Sequence, residues 1–183
     1  MVSVNPIVIR LISLVLILLS IVGTLGSEES KSPFAIAVVP SRSFAESGDI
    51  AMALKAPGEF YVVLTNFSRE PQSVWETWNS WGYQAISFEL TTADGHRLLL
   101  TKREQDFDRN FPSTFVVQPG EHQVFPIRLD KEWEALPAVP KASEMLITLK
   151  AIYEVTATPE APQHKVWTGR IESHTYNLTL RQW

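Results

Sequence analysis

Ile86-Ser87-Phe88-Glu89-Leu90-Thr91-Thr92-Ala93-Asp94-Gly95-His96-Arg97-Leu98-Leu99-Leu100-Thr101 decides the fold class. Ile86, Phe88 and Leu90 alternate with Ser87, Glu89 and Thr91, a period of two that lines up the apolar side chains on one face of a strand. Asp94-Gly95 then turns the chain tightly into a second apolar run, Arg97 to Thr101. An Asp-Gly pair between two apolar runs is the strongest short-range signal of a β-hairpin.

The same grammar extends outward in both directions. Glu59 to Phe67 is an apolar, β-branched and aromatic run after the turn Ala56-Pro57-Gly58, as expected of a central strand. Ser113 to Val117 and Gln123 to Leu129 read as a second hairpin, joined by Gln118-Pro119-Gly120-Glu121, whose Pro and Gly suit a type II turn. Pro126 lacks an N–H, so that strand belongs at a sheet edge or at a bulge. Ile147, Leu149, Ala151, Tyr153 and Val155 alternate with more polar residues, and the chain returns as Val166 to Leu180 in a third hairpin. In that return the apolar phase flips from odd positions (Trp167, Gly169, Ile171) to even ones (Tyr176, Leu178, Leu180). A bulge near Ser173, His174 and Thr175 accounts for the flip. With Phe34 to Val39, about seven or eight short strands argue for an antiparallel β-sandwich. Helix is expected only in short pieces, around Lys131 to Leu136 and around Trp75 to Trp81. An outer-membrane barrel is disfavoured, because Phe60 to Leu64 and Leu98 to Leu100 are apolar on both faces.

Ahead of this region, Arg10 precedes the apolar run Leu11 to Val22, and Gly23-Thr24-Leu25-Gly26 supplies small residues before Ser27-Glu28-Glu29-Ser30. That is the order of a secretory signal. Ile7 to Leu25 also approaches the length of a membrane-spanning helix, so residues 1–26 read either as a signal peptide removed after Gly26 or as a retained anchor over 7–25. Both place the rest outside the cytoplasm. Residues 27–58 read as an extension with the first strands, and 59–183 as the sandwich.

The 183 residues include no cysteine, 16 Lys and Arg against 20 Asp and Glu, and six Trp. A cysteine-free exported domain fits a bacterial envelope or secreted protein, periplasmic or extracellular. Without residues 1–26 the chain keeps 15 basic and 20 acidic residues, a net of −5. That charge is the wrong sign for a partner rich in phosphate, so nucleic acid is not expected. Membrane contact is expected only through the N-terminal segment. The sequons Asn66-Phe67-Ser68 and Asn177-Leu178-Thr179 fall at or in expected strands and read as chance occurrences.

Leu64-Thr65-Asn66-Phe67-Ser68-Arg69-Glu70-Pro71, the Asp94-Gly95 hairpin and Val117-Gln118-Pro119-Gly120-Glu121 together resemble the immunoglobulin-like sandwich domains of bacterial secreted proteins. They are also similar to proteinase-inhibitor-type sandwich modules. Val166 to Ser173 followed by Tyr176 to Leu180 looks like the last strand of such domains. The resemblance covers roughly residues 59–182 and implies an immunoglobulin-like fold. It transfers no inhibitory residue, and the Trp75 to Tyr83 insert departs from the inhibitor pattern.

No catalytic or cofactor motif stands out, so no enzyme activity and no cofactor are expected. His96, His122, His164 and His174 are scattered without zinc-ligand spacing. Glu172 and His174 are two apart on an expected strand and would share a face. No Gly-x-Ser-x-Gly elbow and no phosphate loop occur. Asp106, Asp108 and Asn110 have the alternate spacing that could aim three oxygens at one calcium, but the following residues do not complete an EF-hand. The distinctive segment is Ser73-Val74-Trp75-Glu76-Thr77-Trp78-Asn79-Ser80-Trp81-Gly82-Tyr83, with a tryptophan at every third position. It reads either as a connection that plugs the end of the sandwich, with Asn79 and Ser80 satisfying backbone groups, or as an aromatic surface. In the second case Trp75, Trp78, Trp81 and Tyr83, extended by Phe111, would bind an envelope protein or a glycan. The expected function is thus a non-catalytic, exported binding or interaction module, with a secreted proteinase inhibitor and a carbohydrate binder as alternatives. Oligomeric state is left open.

Overall fold

The computed structural model describes residues 32–40, 51–54, 59–141 and 143–182, so the expected signal or anchor over 1–26 lies outside the described residues. Eleven strands run through the described residues, with one helical turn. The described residues are all-β, as the alternating pattern requires. β1 (Phe34–Val39), β3 (Phe60–Asn66) and β8 (His122–Ile127) form an antiparallel sheet in the order β1-β3-β8. A six-stranded sheet has the order β2-β11-β9-β5-β6, from β2 (Ala51–Leu54), β11 (Tyr176–Gln182), β9 (Ser143–Val155), β5 (Ile86–Thr92) and β6 (Arg97–Leu100). β10 (Gly169–Glu172) also pairs with β9. β4 (Gln72–Trp75) and β7 (Thr114–Val117) make a two-stranded sheet. Segment 27–58 therefore contributes β1 and β2 to sheets built mainly by later residues. β2 runs parallel to β11, unlike the other pairings, so the expected all-antiparallel arrangement is corrected at that edge.

The period of two makes one core between the sheets. Phe60, Val62 and Leu64 of β3 and Phe125 and Ile127 of β8 are buried, as are Phe88 and Leu90 of β5 and Leu149, Ala151 and Tyr153 of β9. Phe60 meets Phe88 edge-on at 5.5 Å, joining the two larger sheets. Tyr153 lies between Phe125 at 6.2 Å and Trp167 at 6.1 Å, stacked on both. Such pairs add about 0.5–1.5 kcal/mol beyond the area they bury. The Tyr153 hydroxyl is buried with no hydrogen-bond partner among the described residues, and burial pushes its pKa up, so it stays neutral.

The first hairpin forms as its sequence dictates. Leu90 faces Leu98, Gly95 has φ +85°, and the Gly95 N–H donates to Thr92 O at 2.9 Å. The bulge also forms. Glu172 pairs with Ile152 but Tyr176 pairs with Leu149, so the strand gains one residue over β9 between them. Ser173 holds the join: its N–H donates to Ala151 O at 2.8 Å and its Oγ accepts from the Ala151 N–H at 3.0 Å. Burial switches from Ile171 and Ser173 to Leu178 and Leu180 across it.

The second hairpin is a correction. Gln118 to Glu121 does make the expected turn, with Gly120 at φ +78° and Glu121 N–H donating to Gln118 O at 3.0 Å. The strands it joins do not pair with each other. β7 pairs with β4, and β8 pairs with β3. The physical reason is Asn66, fully buried at the end of β3. Its Nδ2 donates to Val117 O at 2.9 Å and to Glu70 O at 2.8 Å, while its backbone exchanges hydrogen bonds with Glu121 O at 3.1 Å and Gly120 N–H at 2.8 Å. The turn is docked on Asn66 and passes the chain from one sheet to the next. β8 is an edge strand, as Pro126 requires.

Neither expected helix forms. Trp133 is buried against Phe88 at 5.3 Å and bridges Lys102 in strand fashion, so 131–136 follows the edge of β6 instead of coiling. The helical turn, α1 (Glu160–Gln163), lies instead in the Pro- and Ala-rich connection after β9.

Candidate functional site

The aromatic insert is divided between core and surface. Trp75 ends β4 and is 1% exposed, with Trp81 tilted against it at 5.9 Å and His164 at 5.4 Å. Trp78 is 44% exposed and meets Phe111, 53% exposed, edge-on at 5.0 Å. A stripe of three rings needs one continuous helical turn, but Trp75 is in a strand and the chain then turns back on itself. The expected row of Trp75, Trp78 and Trp81 is therefore not assembled into one platform. Tyr83 packs instead on Phe107 at 5.5 Å with Lys102 Nζ 4.6 Å from its ring centre, and burial, with Glu132 and Asp130 nearby, holds its hydroxyl above the ordinary tyrosine value.

Three polar residues and one glycine fix this geometry. Asn79 is fully buried; its Oδ1 accepts from the Gly82 N–H at 3.1 Å and its Nδ2 donates to Ser113 O at 3.0 Å. Asn79 O also accepts from the Tyr83 N–H at 3.0 Å. Ser80 and Asn110 exchange two bonds of 3.0 Å, Ser80 N–H to Asn110 Oδ1 and Asn110 Nδ2 to Ser80 Oγ. These lock the loop carrying Trp78 to the loop carrying Phe111. A Cβ at Gly82 would collide with Glu76 O and come within 2.9 Å of the Trp75 Cβ, so only glycine permits the turn. The exposed pair is thus preorganised on a rigid base, which lowers the ordering cost of binding.

Asp106 and Asp108 are exposed, and the Asn110 Oδ1 accepts from the Ser80 N–H at 3.0 Å. No group of three or more His, Asp or Glu suited to a metal occurs among the described residues. Glu172 and His174 are both exposed on either side of the buried Ser173, as expected of a shared face, but they are engaged by different partners. Glu172 is held by Lys150 and Arg170, both at 2.8 Å, and His174 packs on Tyr176 at 3.9 Å. Asn66 of the first sequon is buried and committed to four side-chain bonds, including those from Ser68 N–H and Ser68 Oγ.

The residues that matter here beyond those foreseen are Gly82 and Asn66, and Asn110 acts in a role other than the one expected. Asn110 was legible only as an oxygen donor, and Gly82 carried no periodic signal. No protein-family model and no curated protein matches the chain.

Proposed function

We propose that the chain is a non-catalytic, exported immunoglobulin-like domain of the bacterial cell envelope that binds a partner protein through Trp78 and Phe111. The observation that carries the reading is this exposed aromatic pair on a base locked by Asn79, Ser80 and Asn110. Trp is the residue type most enriched at the energetic centre of protein interfaces, and a fixed ring loses little entropy on binding. The immunoglobulin-like assignment rests on the turn and strand motifs, and export rests on Arg10 with the apolar run after it. Among the described residues no helix is long and apolar enough to cross a membrane. In the anchored form of this reading, Ile7 to Leu25 is the membrane segment.

Cross-linking in the producing cell's envelope, with the full chain and its Trp78→Ala and Phe111→Ala variants, tests the reading. A partner captured by the parent chain and by Val116→Ala, and lost in both aromatic variants at unchanged thermal stability, is the expected result. Equal capture by all four chains removes the aromatic pair from the function. A carbohydrate reading keeps one observation in its favour, the free ring of Trp78, and predicts a shift of tryptophan fluorescence on adding polysaccharide that Trp78→Ala abolishes.

A further inference from the structure

The two sheets differ in what they turn outward. The outer side of the six-stranded sheet carries a charged ladder, with Arg170 bound to Glu154 at 2.7 Å and to Glu172 at 2.8 Å, and Lys150 bound to Glu172. Within the strands β1, β3 and β8 no Lys, Arg, Asp or Glu turns outward; at the rim beyond Tyr61 and Pro126, Arg128 pairs with Glu59 at 3.6 Å and the Tyr61 hydroxyl donates to Glu59 at 3.5 Å. The register places Ala37, Val39, Tyr61, Val63, Val124 and Pro126 on the outer side of these strands, closed at one end by the 2.8 Å bond between Thr65 and His122. Phe67 continues the same outward row and is 73% exposed. Antiparallel sheets that face water on one side normally alternate polar residues outward, so an apolar outer row is a candidate contact face.

The size of the face and its place in the chain select what it contacts. Three strands about 4.8 Å apart and six residues long cover about 290 Å², well below the roughly 800 Å² per partner of a stable protein interface. A free partner or a second copy is therefore held poorly, whereas a tethered surface benefits from a high effective concentration. The chain enters this sheet at Pro33, whose carbonyl accepts from the Phe67 N–H at 2.8 Å. Seven residues of sequence separate Pro33 from Leu25, a reach of at most about 29 Å.

We propose that the outer face of β1-β3-β8 docks on the lipid surface of the membrane that holds Ile7 to Leu25, with Phe67 and Tyr61 seated at the headgroup boundary. This rests on the anchored form of the export reading above. Aromatic and aliphatic side chains at such a boundary bind in proportion to the apolar area they bury.

The cysteine-free sequence makes the test clean. Full chains bearing Val124→Cys, Val39→Cys or the control Leu146→Cys are labelled with an environment-sensitive fluorophore. They are reconstituted into phosphatidylethanolamine and phosphatidylglycerol vesicles that contain a lipid spin-labelled near the headgroup. The expected result is quenching at positions 124 and 39 several-fold above that at 146, lost when Phe67→Glu and Tyr61→Glu are added. Equal quenching at all three positions, with the chain resisting alkaline extraction, overturns the docking and leaves the anchor standing. Extraction by alkali overturns the anchor and the docking with it. Probes at 124 and 39 shielded from an aqueous quencher yet untouched by the spin-labelled lipid also overturn the proposal, in favour of a protein covering the face.

Discussion

Trp75 and Trp78 are three residues apart and have opposite duties. Trp75 fills core space that nothing else reaches, so Trp75→Ala is expected to cost about 3–5 kcal/mol in urea unfolding. Trp78→Ala, at an exposed position, is expected to stay within about 1 kcal/mol of the parent. Tyr153 offers a test of opposite sign. Its ring is stacked in the core while its hydroxyl has no partner among the described residues. Tyr153→Phe keeps the ring and removes the unpaired group, and a gain of about 1 kcal/mol is expected from the same measurement. Residue chemistry in the insert was legible in part: Asn79 was foreseen as a donor and acceptor for backbone groups. The split between Trp75 and Trp78 was not, because a spacing of three describes a stripe only if the backbone coils, and Gly82 lets it fold back against Glu76 instead.

Gly82 and the bulge show how elements depend on single positions. Gly82→Ala forces a Cβ into the backbone of Glu76 and is expected to lose about 1–3 kcal/mol and to loosen the Trp78 loop. Faster proteolysis between residues 76 and 85 would report it. Deleting Thr175 removes the extra residue and returns Tyr176, Leu178 and Leu180 to the wrong face of β11. Loss of cooperative unfolding is the expected outcome, seen by circular dichroism. The bulge was legible because a phase flip is a property of the local sequence. The partner of a strand is not local, which is why Pro119-Gly120 was read correctly as a turn and wrongly as a hairpin. The side chain that redirects it, Asn66, lies over fifty residues earlier. The expected coil at 131–136 failed for a related reason: its apolar spacing suits a helix, but the unfilled edge beside Lys102 and the core beside Phe88 claim Trp133 first.

Across the molecule, the charged ladder sets the response to acid. The hydrogen bond from Lys150, and then those from Arg170, hold the Glu172 carboxyl below the ordinary carboxylate range. A depressed folded-state value means its contribution is present above the unfolded-state range and disappears as pH falls through the folded value. Glu172 is 38% exposed at its side chain, so the effect is small and screened by salt. Glu172→Gln is expected to flatten the acid limb of the stability–pH curve, and high salt to do the same to the parent. The distribution of charge between the two outer faces was hidden in the sequence, since it emerges only once β9, β10, β1 and β3 are assigned to different sheets.

β11 lies between β9 and β2, its Tyr176 hydroxyl accepts from the Val38 N–H of β1 at 3.0 Å, and β2 has no other partner among the described strands. The β2–β11 pairing and the Val38–Tyr176 bond span more than a hundred residues, so the time needed to close them is long, milliseconds to seconds for folds of this kind. A chain emerging from the ribosome has no neighbour for β2 until residues 176–182 have been made. During synthesis β2 therefore waits without its strand partner and the six-stranded sheet stays unfinished until the last strand is made, a delay that suits any chain that has to cross a membrane before it folds.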